Sequence, residues 1–368
     1  MFFGPYRIKN ACLSYTGNKI FKPMDDVQNT RPPKLNRRHI DIRKDARKWE
    51  AIIKIWNEIF RASAEFMRKN NALFFNLPIT TRMISSPGAL TGTISSDIDP
   101  FRIKFFDETT FLTQSSQLYL EFAITNPKIN KVFCWEKSFR RERADFRHLP
   151  EFTHIEFEAN IPFEKNLKFQ QQYVQFLITS LIKNVPEDLK VFLEEKDLKL
   201  LESFSGIKKI EGIKFVDTFK LLYVKTGNPR HKIPTLRQFG AYEEILLTEI
   251  IGGPVFVTEY IEEEVAFYHA KISKKSKFVR NADFLFPGYG ELIGSGERVH
   301  TKQETEEKAK HFRLNIKDYQ PYIDSRTGKT KIHSGWGMGI ERFIQAILKL
   351  PFIWETKPFP RVDNQSRP

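Results

Sequence analysis

Guanidinium groups are concentrated in the segment 138–158, SFRRERADFRHLPEFTHIEFE, where the sequence could support chemistry. Two strand-like pieces flank a loop whose charged residues are Arg140, Arg141, Glu142, Arg143, Arg147 and His148. Guanidinium groups are planar, permanently charged and able to donate paired hydrogen bonds to the phosphates of a nucleotide. Phe152 follows them and could stack on a purine ring. The segment predicts a nucleotide site, although its composition alone fits a solvated charged hairpin equally well.

Alternate glycines make the segment 333–342, HSGWGMGIER, a second candidate. Glycine in a strand leaves a bare face, which is typical of the close approach of a ligand. Glu341 and Arg342 then begin a helix, and the N-terminus of a helix favours anions. A tight packing contact between strand and helix would produce the same pattern. The segment lacks the GxGxxG spacing of a dinucleotide site, and nothing in the sequence resembles the phosphate loop GxxxxGK[ST].

A pair of carboxylates in the segment 282–298, ADFLFPGYGELIGSGER, forms the third candidate. Asp283 and Glu291 are the carboxylates best suited to hold Mg²⁺ between phosphate oxygens. Arg298 could clamp the carboxylate of a substrate. Acidic residues near strand ends are more often simply solvated, so this segment is weaker evidence by itself.

The apolar spacing of the first half of the chain indicates the elements that position the arginine-rich segment. Apolar residues recur every three or four positions between Asp45 and Asn70, which predicts a helix. Residues 71–80 are expected to form a short buried strand that ends at Pro78, followed by a loop over 81–100. Short strands then alternate with turns, which favours an antiparallel sheet; they are RIKFF, TFLTQ, KVFCW and THIEFEAN.

The second half of the chain continues this pattern after a helical, charged stretch over residues 163–205. A further helix is expected around EEILLTEII. Three more strands are predicted at PVFVTEY (254–260), VAFYHAKI (265–272) and ADFLFPGYG (282–290). A glycine-rich strand, HSGWGMG, then runs directly into the amphipathic helix IERFIQAILKL.

Composition narrows the class of protein. The 368 residues carry a formal charge of +14, and so basic a surface attracts polyanions such as nucleic acid, nucleotides or anionic lipid. Cys12 and Cys134 form neither a metal-ligand spacing nor a disulfide framework, which is typical of a reduced cytoplasmic compartment. The N-terminus lacks the apolar stretch of a signal peptide, and no run approaches the ~18 apolar residues of a membrane span.

Taken in order, the three clusters resemble the signature motifs of class II aminoacyl-tRNA synthetases. FRRE…RHLPEFTHIEFE is similar to motif 2, GMGIER to motif 3, and the predicted helix and strand ending at Pro78 to motif 1. Further segments resemble the aspartyl and asparaginyl branch: RHIDIR, FLTQSSQLYLE, PVFVTEY, AFYHAK, FPGYGELIGSGER and KPFPR. The resemblance covers roughly residues 36–368 and is patchy between 163 and 250.

This resemblance implies an α+β fold, with a mostly antiparallel sheet of six to eight strands flanked by helices. Residues 1–40 would form an irregular basic arm and residues 41–368 the catalytic domain, with 163–250 as a variable, partly helical insertion. The motif 1 helix and strand would form the interface of a homodimer. Because only about 40 residues precede the core, the usual N-terminal OB-fold barrel is expected to be missing.

The resemblance also implies a role for each matching residue. Arg140 and Arg342 would be catalytic, since Arg140 would bind the α-phosphate and the substrate carboxylate while Arg342 reaches the γ-phosphate and sandwiches the adenine with Phe152. The other residues of the ATP site would be Arg141, Glu142, Arg147, His148, Leu149, Glu291, Gly339, Ile340 and Glu341. Asp283 and Glu291 would hold Mg²⁺. The amino acid would be bound by Gln114, Gln117, Glu121, Gly294 and Arg298.

Three local departures from the family pattern bear on the substrate. Leu120 stands where aspartyl enzymes place a lysine for the substrate β-carboxylate, and Glu121 follows it, as in asparaginyl enzymes. A carboxylate near the pocket would accept hydrogen bonds from the amide of asparagine and repel the acid of aspartate. The loop 84–99, a lid in the family, carries no Glu for the α-amino group, so that Asp97 or Asp99 would have to substitute. The segment 324–333, DSRTGKTKIH, is closer to archaeal asparagine synthetase-related proteins.

The sequence therefore predicts ATP- and Mg²⁺-dependent activation of asparagine as its adenylate, with transfer to tRNA or another acceptor. One alternative is an asparagine synthetase that forms aspartyl-adenylate and resolves it with ammonia. The other is an inactive paralogue that binds RNA or regulates a partner.

Overall fold

The computed structural model describes residues 6–9, 12–15, 30–85, 100–328 and 330–367. Within the arm that was predicted to be irregular, residues 6–9 and 12–15 pair as antiparallel strands. Of the predicted lid, 84–99, only Ile84 and Ser85 belong to the described residues. None of the described helices is both long enough and apolar enough to cross a membrane.

Helices and strands alternate along the chain. Up to the segment 138–158 they are β1 (Tyr6–Lys9), β2 (Cys12–Tyr15), α1 (Arg38–Lys44), α2 (Ala46–Lys69), β3 (Leu73–Phe74), β4 (Thr80–Thr81), β5 (Arg102–Phe105), β6 (Glu108–Leu112), α3 (Gln117–Ile124), β7 (Lys131–Phe139) and β8 (Glu151–Ala159). The following elements are α4 (Phe163–Asn184), α5 (Pro186–Leu189), α6 (Glu195–Ser205), β9 (Gly212–Lys214), α7 (Phe215–Thr226), α8 (Ala241–Ile251), β10 (Val255–Thr258), β11 (Asn281–Phe286), β12 (Gly290–Glu297), α9 (Lys302–His311), α10 (Ile316–Asp324), β13 (Ser334–Gly339) and α11 (Ile340–Ile347).

A sheet of eight strands forms the centre of the molecule, in the order β3-β7-β8-β13-β12-β11-β10-β9. Its inner pairs are antiparallel, and only the outermost pairs, β3 with β7 and β9 with β10, are parallel. Helices cover it, so the predicted α+β fold with a mostly antiparallel sheet is confirmed. A smaller sheet of β4, β6 and β5 lies beside it.

The helix predicted between Asp45 and Asn70 is α2, and its apolar stripe explains its position. Trp49, Ile52 and Ile59 are buried at helical spacing and belong to the main core together with α4. On the sheet side of this core the ring of Phe157 stacks on Trp336, with centroids 5.8 Å apart. Because successive side chains of a strand point to opposite faces, these rings leave the other face of β8 and β13 for polar residues and glycines.

Two strand predictions were wrong in part. In place of the strand expected over residues 71–80 there is the two-residue strand Leu73–Phe74. Both side chains are more than half exposed, at 56% and 57%, because this strand lies at the edge of the sheet. The segment 265–272 is not a strand but forms single bridges, His269 to Arg298 and Lys271 to Val279. Its apolar residues alternate as in a strand, but they pack from a bent segment that does not form a continuous ladder of backbone hydrogen bonds.

Candidate active site

The floor of the candidate site is the polar face of the central sheet. His154, Glu156 and Glu158 of β8 lie on this face and pair with three glycines of β13, in the order Gly339, Gly337 and Gly335. A Cβ atom on Gly335 would overlap the carboxylate of Glu158, so this position requires glycine. The alternate glycines of HSGWGMG therefore clear a floor on which carboxylates lie flat, in agreement with the predicted bare face.

A cleft that encloses about 460 Å³, including space open to solvent, lies at the β7–β8 loop end of this floor. The guanidinium of Arg140 lies 5.2 Å from the ring of Phe152, and Arg342 lies in the first turn of α11. The lining residues are Arg140, Glu142, Arg147, His148, Leu149, Phe152, His154, Glu291, Leu292, Gly337, Gly339, Glu341, Arg342 and Ile353. Residues from the arginine-rich segment and the two glycine-containing segments thus meet in one cavity.

Two of the residues predicted for the ATP site do not line this cavity. Arg141 has an exposed side chain on the loop, while Ile340 is fully buried in the main core. Glu341 borders the cavity, yet its carboxylate accepts hydrogen bonds from the backbone N–H of Thr153, at 2.9 and 3.1 Å, and from Lys357 Nζ at 2.8 Å. Glu341 therefore fastens α11 to β8, and this holds Arg342 in place.

Two residues that sequence reasoning missed belong to this end of the site. Glu244 on α8 forms an ion pair with Arg147, 2.5 Å from Nη1 to Oε2, and the same oxygen accepts the backbone N–H of Glu291 at 2.9 Å. His154 lines the cavity, and burial together with Arg140 and Arg342 lowers its pKa to about 3, so it is neutral. His154 lies in the quoted segment 138–158, whereas no pattern near Glu244 indicated a contact 97 residues away.

The predicted metal-binding carboxylates lie together on the floor. From the Cβ position of Gly294, Glu291 Oε1 is 3.3 Å and Asp283 Oδ1 is 3.7 Å away. Burial and the neighbouring Glu291 raise the pKa of Asp283 well above its usual value. Burial acts in the same direction on Glu291, but Arg342, whose Nη1 is 3.0 Å from Oε2, and two further arginines lower its pKa. At Asp283, burial and repulsion from Glu291 thus outweigh the attraction of Arg342, whereas at Glu291 the arginines dominate.

The opposite end of the floor carries the predicted amino-acid residues. Gln117 Nε2 donates to Glu158 Oε2 at 2.8 Å, and Arg298 Nε donates to the same oxygen at 3.2 Å. All three side chains are buried, and burial raises the pKa of Glu158 to about 7 although Arg298 opposes it. Gln114 is also buried, just before α3. These residues line up along the floor from the carboxylate pair.

Glu121 lies in a network of its own. Its Oε2 accepts hydrogen bonds from Arg326, from Tyr322 at 2.9 Å and from His333 Nε2 at 3.0 Å. It lines a second cleft, of about 390 Å³ including space open to solvent, with Arg326 and His333. Leu120 is fully buried in an apolar cluster with Leu77, Ile124, Val132 and Cys134. Leu120 therefore offers a substrate neither a charge nor a hydrogen bond.

Among the described residues no three His, Cys, Asp or Glu side chains come together as a metal site. Two carboxylates next to a cavity lined by arginines instead suit a cation that takes its remaining ligands from phosphate oxygens and water. The chemistry that this arrangement can support is the binding of a nucleotide triphosphate beside a small, polar second substrate.

Comparison with known proteins agrees with this geometry. The family model of class II tRNA synthetases (D, K and N) matches residues 31–363. The asparaginyl-tRNA synthetase of Pyrococcus horikoshii, complexed with asparaginyl-adenylate, is 29% identical, with a TM-score of 0.79 over 91% of this chain and 73% of that chain. The asparaginyl-tRNA synthetase of Entamoeba histolytica, also with asparaginyl-adenylate, is 25% identical, with a TM-score of 0.76 over 94% and 75%. The aspartyl-tRNA synthetase of E. histolytica, at 20% identity and a TM-score of 0.72 over 95% and 66%, shares the fold.

Proposed function

The chain belongs to the class II tRNA synthetases (D, K and N), and we propose that it activates asparagine with ATP as asparaginyl-adenylate and transfers it to tRNA. The observation that carries the proposal is the continuous floor from Arg140 and Arg342 to Glu158 and Arg298. Such a floor matches an elongated ligand with a nucleotide at one end and an amino acid at the other.

The proposed chemistry needs charge neutralisation and positioning rather than a protein nucleophile. A carboxylate oxygen of the amino acid attacks the α-phosphorus of ATP, and the bond from that phosphorus to the bridging oxygen breaks to release pyrophosphate. In this scheme Arg140 neutralises the α-phosphate and Arg342 the outer phosphates, while Phe152 supplies a ring for the adenine; all three line the cavity.

Asp283 and Glu291 would hold Mg²⁺ in this scheme, because their oxygens flank the bare surface of Gly294 next to the phosphate cavity. When bound, the ion would supply positive charge that offsets the negative charge of the phosphates. The raised pKa of Asp283 fits this role, since a cation bound there would favour the ionised form of the carboxyl.

The charge balance of the amino-acid end favours asparagine over aspartate. Arg298 is already paired with Glu158, and Leu120 contributes no cation. The β-carboxylate of aspartate would lie beside a carboxylate, whereas the amide of asparagine can donate an N–H to Glu158 and accept from Arg298. A buried carboxylate without a hydrogen-bond donor costs free energy, and this cost is the physical basis for selecting asparagine over aspartate.

The test is ATP–pyrophosphate exchange with asparagine and aspartate side by side. We expect asparagine to support exchange with a kcat/KM at least about 100-fold above that of aspartate, because rejection rests on unpaired buried charge. Charging of tRNA with asparagine tests the transfer step separately. Exchange with aspartate alone would overturn the choice of asparagine.

A second candidate function is an asparagine synthetase, favoured by the sequence DSRTGKTKIH, whose Arg326 forms an ion pair with Glu121 beside the amino-acid end. It predicts aspartate-dependent AMP release that rises with ammonium and needs no RNA. The same exchange assay, supplemented with ammonium or tRNA, distinguishes the two functions.

We also propose that the protein is a homodimer through α2 and β3. Ile53 and Phe60 on α2 and Leu73 and Phe74 on β3 are exposed apolar side chains on adjacent elements. Clustered exposed apolar side chains of this kind mark protein–protein contacts. Among the described residues, β3 is an edge strand with unpaired backbone groups, which is a surface that a second copy could cover.

A further inference from the structure

His269 is a buried side chain at the amino-acid end of the floor, and nothing above assigns it a role. It is 8% exposed, and its Nδ1 has no hydrogen-bond partner among the described residues. A buried polar atom without a partner is uncommon and costs free energy, so it calls for an explanation such as a missing ligand.

The imidazole lies on the same face of the sheet as Glu158. A Cβ atom on Gly296 would overlap the ring at Nδ1, just as a Cβ on Gly335 would overlap Glu158 Oε2. Gly296 and Gly335 are direct cross-strand partners in β12 and β13. Side chains at such paired positions are about 4.5–5.5 Å apart at Cβ, so the two polar groups are neighbours.

Glu158 presents a second unpartnered atom at this place. Its Oε2 accepts from Gln117 and Arg298, but within the described part of the chain its Oε1 has no partner although it is fully buried. These two buried, unsatisfied polar atoms lie on neighbouring positions of a glycine floor, and a small ligand with its own donors and acceptors would satisfy both.

The position of His269 is fixed by its neighbours. Its carbonyl oxygen accepts from Lys308 Nζ at 2.5 Å, and Lys308 is in turn paired with Glu262 at 2.8 Å. The preceding residue, Tyr268, lies under the guanidinium of Arg298 at 4.9 Å. One short segment therefore supports Arg298 from below and sets the imidazole over Gly296.

We propose that His269 determines specificity by hydrogen bonding through Nδ1 to the side-chain amide of asparagine, beside Glu158. This inference rests on the proposed function. The Gly296–Gly335 row lies one same-face step, about 6.8 Å, beyond the Gly294–Gly337 row that borders the carboxylate pair. With the substrate carboxylate at the phosphate end, the proposal puts the amino-acid side chain over this row.

An amide suits this group of atoms better than a carboxylate does. The NH₂ of asparagine carries two donors, one for Glu158 Oε1 and one for an imidazole lone pair, and its oxygen can accept from Arg298. Burial and the nearby cations Arg298 and Lys308 lower the pKa of His269 well below its usual value, so the ring stays neutral. A neutral ring supplies no charge with which to balance the β-carboxylate of aspartate.

The experiment compares asparagine-dependent ATP–pyrophosphate exchange of His269→Leu and His269→Asn in the full chain. Leu removes the polar atom, whereas Asn keeps one near the position of Nδ1. We expect His269→Leu to raise the KM for asparagine about 10-fold and leave the KM for ATP unchanged, because the substrate amide loses one of its hydrogen-bond partners. His269→Asn should recover most of the wild-type KM.

His231→Leu is the matched control, because His231 is also buried but packs near Phe219 away from the floor. It should leave the KM for asparagine unchanged. An unchanged KM for asparagine in His269→Leu, or an equal rise of this KM in the Leu and Asn variants, would overturn the inference. In either case asparagine-dependent exchange by the wild type would still support the proposed function. Absence of asparagine-dependent exchange in the wild type would instead overturn the proposed function and the inference with it.

Discussion

Arg147 and Glu244 form a buried ion pair with two contacts, 2.5 Å from Nη1 to Oε2 and 3.3 Å from Nη2 to Oε1. Arg147 belongs to the loop between β7 and β8, and Glu244 to the first turn of α8. Because Glu244 also accepts the backbone N–H of Glu291, one carboxylate joins the phosphate loop to the strand of the proposed metal site. We regard Glu244 as a positioning residue.

The first prediction concerns this pair. Glu244→Ala should lower the free energy of unfolding by about 3–5 kcal/mol, because it leaves the buried charge of Arg147 without compensation. Glu244→Gln should keep the fold but lower exchange activity about 10-fold or more, since Arg147 and Glu291 lose a common anchor. Urea unfolding and ATP–pyrophosphate exchange measure the two effects.

Asp217 provides the matched control, since it is paired with Lys220 at 2.7 Å on the exposed side of α7. Asp217→Ala should leave both the free energy of unfolding and the exchange rate unchanged, because exposed pairs contribute little. If Glu244→Ala proved no less stable than Asp217→Ala, the structural role given to Glu244 would be wrong.

The second prediction concerns Arg342. Arg342→Ala should lower kcat/KM for exchange by about 100- to 1,000-fold, the usual loss when one charge-stabilising donor is removed. Its guanidinium is partly accessible and its main partner is Glu291, so the fold should remain intact by circular dichroism and thermal unfolding. Arg43→Ala on the exposed face of α1 is the control. Near-normal exchange by Arg342→Ala would contradict the assignment of the phosphate site.

Local patterns explain how much of the fold and site the sequence could predict. The helix α2 was predicted because Trp49, Ile52 and Ile59 recur at a period that depends only on neighbours in the chain. Arg140 and Arg342 were found because charges and alternate glycines are contiguous in the sequence. Each of these signals is complete within about 20 residues.

The remaining features depend on contacts that no local pattern encodes. Glu244 resembles any acidic residue in the first turn of a helix until the fold brings it to Arg147. The apolar residues of the segment 265–272 alternate as in a strand, but the segment is bent and pairs with its neighbours only through single bridges. The sequence alone could not distinguish His269 from a histidine of the core. Apolar residues predict burial for Leu73 and Phe74, whereas their position at the sheet edge leaves them exposed.

The third prediction concerns the proposed homodimer. Phe74→Glu combined with Ile53→Glu should raise the dissociation constant of the dimer about 100-fold or more, because each introduced carboxylate would be buried without a partner. Light scattering coupled to size-exclusion chromatography measures the mass. Val224→Glu is the control, since Val224 is 78% exposed on α7 away from this surface. A double variant that remained dimeric would exclude this surface as the interface.

The fourth prediction uses the opposite pKa shifts of the two carboxylates beside Gly294. The folded-state pKa of Asp283 is raised above its ordinary value of 3.8. Between these two pKa values the folded protein binds more protons than the unfolded chain, so the protein loses stability as the pH rises through this range. Asp283→Asn removes this cost, and in the presence of a chelator it should melt at a higher temperature than the wild type at pH 8. The difference should narrow as the pH falls toward 5.

Glu291→Gln should have the opposite effect. The folded-state pKa of Glu291 is lowered by Arg342, Arg147 and Arg140 in spite of burial, so its charge stabilises the fold above the ordinary pKa of 4.5, and this stability is lost as the pH falls through the lowered value. Without metal, Glu291→Gln should therefore melt below the wild type at pH 8. Both variants should need an about 10-fold or higher Mg²⁺ concentration for half-maximal exchange, because each removes one proposed ligand. Melting shifts of the same sign, or an unchanged Mg²⁺ requirement, would contradict the proposed division of roles. In that division the arginines stabilise the charge of Glu291, and the bound cation stabilises the charge of Asp283.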